Sequence, residues 1–265
     1  TNSILKVPNI IEKPIDIFSD EKEERINLPV IRKSNDIGII IVENGCVNKC
    51  TFCATKLARG NLKSYRIGDV KRELEISIKD GCKKIFLTGQ DLSCYGFDIK
   101  TNLSALLNEL VNVDGNYKIR VGMMNPWHVM KIIDPLIEAY KNDKIMKFLH
   151  IPVQSGSNRI LNHMLRFHTV EDFKYIVKRF REEFPNITIA TDIIVGYPQE
   201  NMDDFKATCN LIREIKPNVL NISKYSAMHG TYAAKLKQLS SQKIKERSRI
   251  LTRIYKEIKY ENKKF

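Results

Sequence analysis

From Asp36 onward, short β-branched apolar runs alternate with amphipathic segments of helical length, and this alternation restricts the chain to a parallel sheet made of βαβ units. The apolar runs are Ile37 to Val42, Lys84 to Thr88, Tyr117 to Gly122, Lys147 to Ile151, Ile187 to Ile194 and Val219 to Ile222. Between them, apolar residues recur at three- and four-residue steps over Asp69 to Lys79, Leu103 to Val111, Val129 to Tyr140, Arg159 to Leu165, Val170 to Phe184 and Met202 to Ile215, which predicts helices there. Right-handed crossovers curl such a sheet toward a barrel. Six strands are fewer than the eight of a closed TIM barrel, so the expected α/β fold is a partial, laterally open (β/α)6 TIM-type barrel.

The chain has 265 residues, enough for one barrel-sized core with trimmings. Residues 1–36 carry Pro8, Pro14, Pro29 and the charged run SDEKEER, and read as a linker or the remnant of a preceding domain. The barrel is expected over residues 37–240. The tail, 241–265, places Ile244, Leu251, Ile254 and Ile258 on one face of a basic helix, for which an ordinary surface helix and an RNA contact are both open. Hydrophobic residues make up 43% and no apolar run approaches the roughly 20 residues that span a bilayer, which excludes a helical membrane protein and leaves no membrane partner. The opening TNSILKVPNIIEKPIDIF lacks the basic start and apolar stretch of a secretory signal, so a cytoplasmic location is expected. Lys and Arg exceed Asp and Glu by 44 − 31 = 13. Such a surface attracts polyanions, though a Lys-rich compositional bias explains the excess equally well.

Of the six cysteines, Cys46, Cys50 and Cys53 fall within the stretch GCVNKCTFC, too close together to staple distant parts of a fold. That stretch directly follows the first strand and so occupies a loop at the C-terminal, catalytic end of the barrel. Three thiolates at CxxxCxxC spacing can each hold one iron of a four-iron, four-sulfur (4Fe-4S) cluster, with the fourth iron lacking a protein ligand. A structural zinc site needs a fourth ligand, and the nearest histidine in sequence is His128. Cys82, Cys94 and Cys209 are scattered and read as small buried hydrophobes.

With Phe52 between the last two cysteines, this spacing resembles that of radical S-adenosyl-L-methionine enzymes. The resemblance implies that the free iron chelates the methionine part of the cofactor and that an electron from the cluster splits the sulfonium bond to give a 5′-deoxyadenosyl radical. The segments GCVNKCTFCATKLARGNLKSY, LTGQDLSCYG, GMMNP, HIPVQSGSNRIL, ATDIIVGYPQE and SAMHGTYAA resemble, in order, the tRNA methylthiotransferases. Within them, ARGN, GMMNP and ATDIIVGYP are similar to the branch acting on N6-threonylcarbamoyladenosine next to the anticodon. Two other branches act on isopentenyladenosine in tRNA and on a ribosomal protein; a radical enzyme with a protein substrate and a non-catalytic RNA-binding module with a structural cluster are the competing readings. The resemblance implies tRNA, a reductant protein and a sulfur donor as partners. It also implies an N-terminal domain with a second 4Fe-4S cluster and a C-terminal RNA-binding module in a longer parent, neither of which this chain carries.

Local chemistry and the resemblance together nominate the site. Phe52 is taken with the cofactor by resemblance. In LTGQD, Gly89 would let backbone approach a ligand, or serve a turn in left-handed conformation, and Gln90 offers donors and acceptors to an ammonium and a carboxylate. In HIPVQSGSNRIL, the resemblance assigns cofactor contact to Gln154 and Ser155, while Ser157 is a candidate helix cap. In ATDIIVGYP the polar Thr191–Asp192 pair interrupts an apolar strand and needs buried partners or a ligand. Asp192 is the candidate catalytic and cofactor-binding carboxylate, a structural hydrogen bond being its other reading; Ile194 and Gly196 suit an adenine. Arg59 could pair with a carboxylate or phosphate, a salt bridge to a barrel helix being its other reading. Tyr65, Tyr95, Trp127 and Tyr225 could stack on a base, although packing is the commoner role of such aromatics.

Overall fold

The computed structural model describes residues 26–28, 30–32 and 36–261. Its strands are β1 (Ile37–Ile41), β2 (Glu43–Asn44), β3 (Lys63–Ser64), β4 (Lys84–Thr88), β5 (Lys118–Val121), β6 (Phe148–His150), β7 (Thr188–Val195) and β8 (Val219–Lys224). All six expected strands form, parallel, as two three-stranded sheets ordered β1-β4-β5 and β6-β7-β8. Ile119 joins the two sheets: its N–H donates to Lys144 O at 2.6 Å and its carbonyl accepts from Met146 N–H at 2.8 Å. Among the described residues no pairing joins β1 to β8, so the arc stays open on that side, as the strand count implies. The short antiparallel β2–β3 pair had no signature in the sequence, because two residues per strand are too few for any period to show.

The helices are α1 (Thr55–Arg59), α2 (Ile67–Lys79), α3 (Leu103–Val111), α4 (Pro126–Val129), α5 (Ile133–Lys141), α6 (Asn158–His163), α7 (Val170–Glu183), α8 (Met202–Ile215) and α9 (Ser241–Glu261). Strand alternation sets which side faces them. Ile40, Ile85, Leu87, Ile119, Val121, Leu149, Ile189 and Ile193 are buried in one core with Leu74, Leu107, Leu136, Phe173, Phe180 and Ile212 of the helices. Each such side chain contributes about 1.5–3 kcal/mol on burial. The inward positions, by contrast, face a lumen. Thr169 and Asn201 start α7 and α8 with reciprocal capping boxes to Asp172 and Asp204, which fixes where both helices begin.

One helix expectation needs correction: Val129 to Tyr140 is not a single helix. Asn125 caps α4, whose first residue Pro126 lies three residues upstream of the expected start, and the chain leaves helical conformation at Ile132 before α5 begins. Pro135 supplies the reason, since it cannot donate to the carbonyl four residues back and its ring clashes there; it is accommodated only in a first turn. In the tail, Ile244, Leu251, Ile254 and Ile258 are all buried, and α9 docks this face against the barrel. Arg247 from α9 forms a buried ion pair with Glu200 and donates to its carbonyl at 3.0 Å. Ile26 joins the core and Asn27 N–H donates to Glu73 at 2.9 Å, so this part of the segment expected as a linker rests on α2; residues 1–25 lie outside the described residues. Among the described residues no helix is long and apolar enough to cross a membrane.

Candidate functional site

The loop after β1 is tied down at both ends. Gly60 closes α1 at φ 67°, and its carbonyl accepts the Cys46 N–H at 3.2 Å. That left-handed conformation suits a glycine and explains the Arg59–Gly60 step. On the far side Thr51 N–H donates to Met164 O at 3.1 Å, and the Thr51 hydroxyl lies 2.8 Å from the Tyr197 hydroxyl. The loop therefore bridges the mouth of the barrel from one sheet to the other. Beneath it is a cavity of about 610 Å³ whose lining includes Cys46, Cys50, Cys53, Phe52, Gln90, Gln154, Arg166 and Tyr232.

Each cysteine sulfur has an N–H donor. Asn48 donates to Cys46 Sγ through its backbone at 3.4 Å and its side chain at 3.3 Å, Thr55 N–H lies 3.4 Å from Cys53 Sγ, and Arg166 lies 3.6 Å from Cys50 Sγ. Burial pushes the Cys46 thiol up to about 11 and raises Cys50 as well, with Arg166 opposing the latter shift. Cys46 and Cys50 as free thiols therefore stay protonated at neutral pH, and a metal that displaces those protons gains a half-buried, donor-rich thiolate set. Arg166 is 8% exposed, donates to Pro152 O at 2.9 Å, and leaves its Nε buried without a partner. Leu165, at φ 53°, makes the unusual turn that brings Arg166 back under the cysteine loop. Three thiols with aimed donors, beside a cation with a spare donor, fit an iron–sulfur cluster and a carboxylate next to it.

Asn48 also links this site to a buried network. Its Nδ2 donates to Asp91 at 2.6 Å and its Oδ1 lies 2.9 Å from His128 Nε2. Asp91, Cys94 and His128 place their ligand atoms within 4.8 Å of one another. However, Asp91 already accepts from Asn125 N–H at 2.9 Å, Ser93 N–H at 3.3 Å, the Cys94 thiol at 3.3 Å, the Ser93 hydroxyl and Asn48. Its lone pairs are used by hydrogen bonds, so the trio is a scaffold for the loop. Burial holds His128 below the usual histidine range. Asn48, Asp91, His128 and Arg166 were not singled out from sequence. Asn48 and Asp91 lie in or beside the cysteine and LTGQ segments, and His128 and Arg166 follow the GMMNP and HIPVQSGSNRIL segments, but as ordinary polar residues they do not stand out without contacts across as many as 116 positions of chain.

The nominated residues divide into two groups. Phe52, Gln90 and Gln154 line the cavity with the cysteines. Gln90 Oε1 accepts from Gly45 N–H at 2.7 Å, and Gln154 is held at φ 76°, a conformation costly for a non-glycine residue. Gly89 is not in the left-handed region, and a Cβ there would fall 2.4 Å from Glu43 Cγ, so packing alone demands the glycine. Ser155 is buried and accepts from Ser157 N–H at 3.2 Å; Ser157 caps α6 through Ile160 N–H. Thr191 finds buried partners, donating to Ile151 O at 2.8 Å and accepting from Val153 N–H at 3.1 Å. Asp192 lies deeper in the lumen, 3.0 Å from His150 Nε2 and 2.6 Å from Asn221 Nδ2, and is not part of the cysteine cavity lining. Ile194 packs with Phe52 against Ile160, Met164 and Tyr197. Tyr65 and Tyr95 are buried, the Tyr95 hydroxyl donating to Tyr65 O at 2.7 Å, so both serve packing.

A thiol-lined cavity at the C-terminal ends of six parallel strands defines an open α/β barrel with a metal-cluster type of site. The chain belongs to the radical SAM superfamily, whose model matches residues 40–212. It is 49% identical over 243 residues to the "Probable threonylcarbamoyladenosine tRNA methylthiotransferase" of Pyrococcus horikoshii, covering 91% of this chain and 57% of that protein. It is 42% identical to the human threonylcarbamoyladenosine tRNA methylthiotransferase, over 87% of this chain and 40% of that one. Among solved structures, a radical S-adenosylmethionine methyltransferase from Kitasatospora setae shares the fold, with a TM-score of 0.63 and 17% identity over 75% of this chain and 38% of the other. The chain thus spans roughly half the length of the curated relatives it matches.

Proposed function

We propose that this chain is the radical-generating core of a tRNA methylthiotransferase acting at C2 of N6-threonylcarbamoyladenosine next to the anticodon. The observation that carries the reading is the convergence of Cys46, Cys50, Cys53 and the half-free Arg166 on one cavity of about 610 Å³; similarity to the Pyrococcus and human proteins supports the substrate. The cysteines would hold a 4Fe-4S cluster, which when loaded and reduced supplies the electron that cleaves S-adenosylmethionine. This chain's own groups do the rest. Asn48 and Thr55 N–H groups stabilise charge on the sulfurs, and Arg166 offers its spare donor to the carboxylate of the cofactor's methionine part. Gln90 and Gln154 border the same cavity and orient the cofactor there, while Phe52 covers it with apolar surface. Asp192, held by His150 and Asn221, faces the lumen, where the substrate base would enter. A second 4Fe-4S cluster, a sulfur donor and a reductant protein complete the reaction in the longer parent, and a tRNA partner is consistent with activity in the cytoplasm.

The test is anaerobic reconstitution of the full-length protein that carries this chain, followed by reduction with S-adenosylmethionine, a sulfur source and RNA. Formation of 5′-deoxyadenosine together with a 2-methylthio product only on threonylcarbamoyladenosine-containing RNA is expected. Modification of isopentenyladenosine RNA, or of a ribosomal protein instead, would overturn the substrate assignment; an intact cofactor beside a verified cluster would overturn the enzyme.

A further inference from the structure

Strand alternation puts Arg120 inside the barrel. Its neighbours Ile119 and Val121 are fully buried beneath the helices, so the side chain between them points to the lumen. The lumen is open: Ile39, mid-strand on β1 and registered with Phe86, is 58% exposed although Ile40 beside it is 1% exposed. Phe86 in turn registers with Arg120. The guanidinium carbon lies 4.0 Å from the Phe148 ring centroid and 5.2 Å from that of Phe86, so two aromatic rings hold it. Among the described residues Arg120 makes no hydrogen bond and no ion pair, and its nitrogens are not sealed from solvent. The lumen's carboxylate, Asp192, is already held by His150 and Asn221.

An arginine held by its faces keeps its in-plane donors free, and that edge matches a planar carboxylate in bidentate fashion. Arg120 sits inside the strand arc next to the last residue of β5, a place that a group carried on an inserted base reaches more directly than a phosphate of the RNA backbone. The cofactor's carboxylate has a nearer cation, since Arg166 and not Arg120 borders the cysteine cavity. We infer that Arg120 is a recognition subsite for the carboxylate of the substrate's threonyl group, so that the barrel lumen selects a carboxylated base. This rests on the substrate reading above. An adenine lacking the threonylcarbamoyl group forgoes this charge-assisted pair and covers the guanidinium without replacing its water contacts, which is a source of rejection as well as of attraction.

The experiment crosses a protein change with a substrate change in the full-length protein that carries this chain, loaded with its clusters. Modification rates are compared for an anticodon stem-loop bearing threonylcarbamoyladenosine and for the same RNA with that carboxylate as its methyl ester. The parent should prefer the free acid by roughly 10- to 100-fold in kcat/KM, the range for a lost hydrogen bond to a charged group. Arg120→Met should treat acid and ester alike, and Arg120→Lys should restore part of the preference. Because the signature is a ratio, a general loss of folded enzyme does not mimic it. An active parent indifferent to esterification, or an Arg120→Met protein that still discriminates as the parent does, would sink the subsite alone. Equal loss on both RNAs with the ratio preserved would assign Arg120 to the cofactor or the fold, and also overturns it. A parent inactive on the free-acid RNA sinks the substrate reading and the subsite with it.

Discussion

Cys46, Cys50 and Cys53 line one cavity, whereas Cys82, Cys94 and Cys209 are buried elsewhere, so the six thiols should separate cleanly in a substitution series. Replacing any of the first three by Ala should abolish cluster iron and its visible absorption; Ala at each of the others should leave both, which iron analysis of reconstituted protein checks. Glu43 makes a pH prediction. Burial pushes its carboxyl from the ordinary 4.5 up to about 8, although Asp91 N–H donates to it at 2.8 Å. The native state keeps a proton that the unfolded chain gives up, so this stabilisation is complete below about pH 4.5 and is lost as pH rises through 8. Urea unfolding across that window should show stability falling with pH in the parent and a flatter slope in Glu43→Gln.

Helix α9 was legible as an amphipathic element, but its sequence did not say which surface covers its apolar face. In the fold that surface is the barrel flank, and the contact includes Arg247 and Glu200, with side chains 7% and 1% exposed. Burial raises the Glu200 carboxyl while Arg247 opposes the shift. Removing one partner of a buried pair strands the other, so Arg247→Met should cost about 3–5 kcal/mol. The Arg247→Met/Glu200→Leu double variant should recover much of it, since apolar replacement of a whole pair is often neutral. Thermal and urea unfolding of both single variants and the double variant provide the cycle. Helix α4 and α5 make the converse point, because the apolar period runs through Val129 to Tyr140 and only Pro135 breaks it.

The molecule as a whole carries 13 excess positive charges. Contacts with RNA phosphates release counterions, so affinity of this chain for RNA should fall with a log–log salt slope of about −0.7 to −0.9 per phosphate contacted. Anisotropy titrations of tRNA and of an unrelated RNA of equal length, at two salt concentrations, should show weak binding that differs little between them. Tight, salt-insensitive and tRNA-selective binding by these residues would mean that the barrel itself reads the shape of tRNA.

Periodicity made the six strands, their parallel sense and the outer core readable, because local alternation follows directly from which side of each strand is dry. The cysteine loop was equally readable, since its ligands are neighbours in the chain. Its supporting residues were not. Arg166 reaches Cys50 across 116 positions, Asn48 and His128 meet across 80, and the lumen groups Arg120, Phe148, His150 and Asp192 come from three strands. Periodicity marks a residue as inward or outward but does not say which inward residues meet; that depends on register and on the curl of the sheet. The polar Asp192 drew attention as a strand anomaly, yet only the fold shows it tied to His150 and Asn221 rather than lining the cysteine cavity. Sequence thus determined the elements and the metal-type loop, while long-range packing determined which cation serves the cavity and which one waits in the lumen.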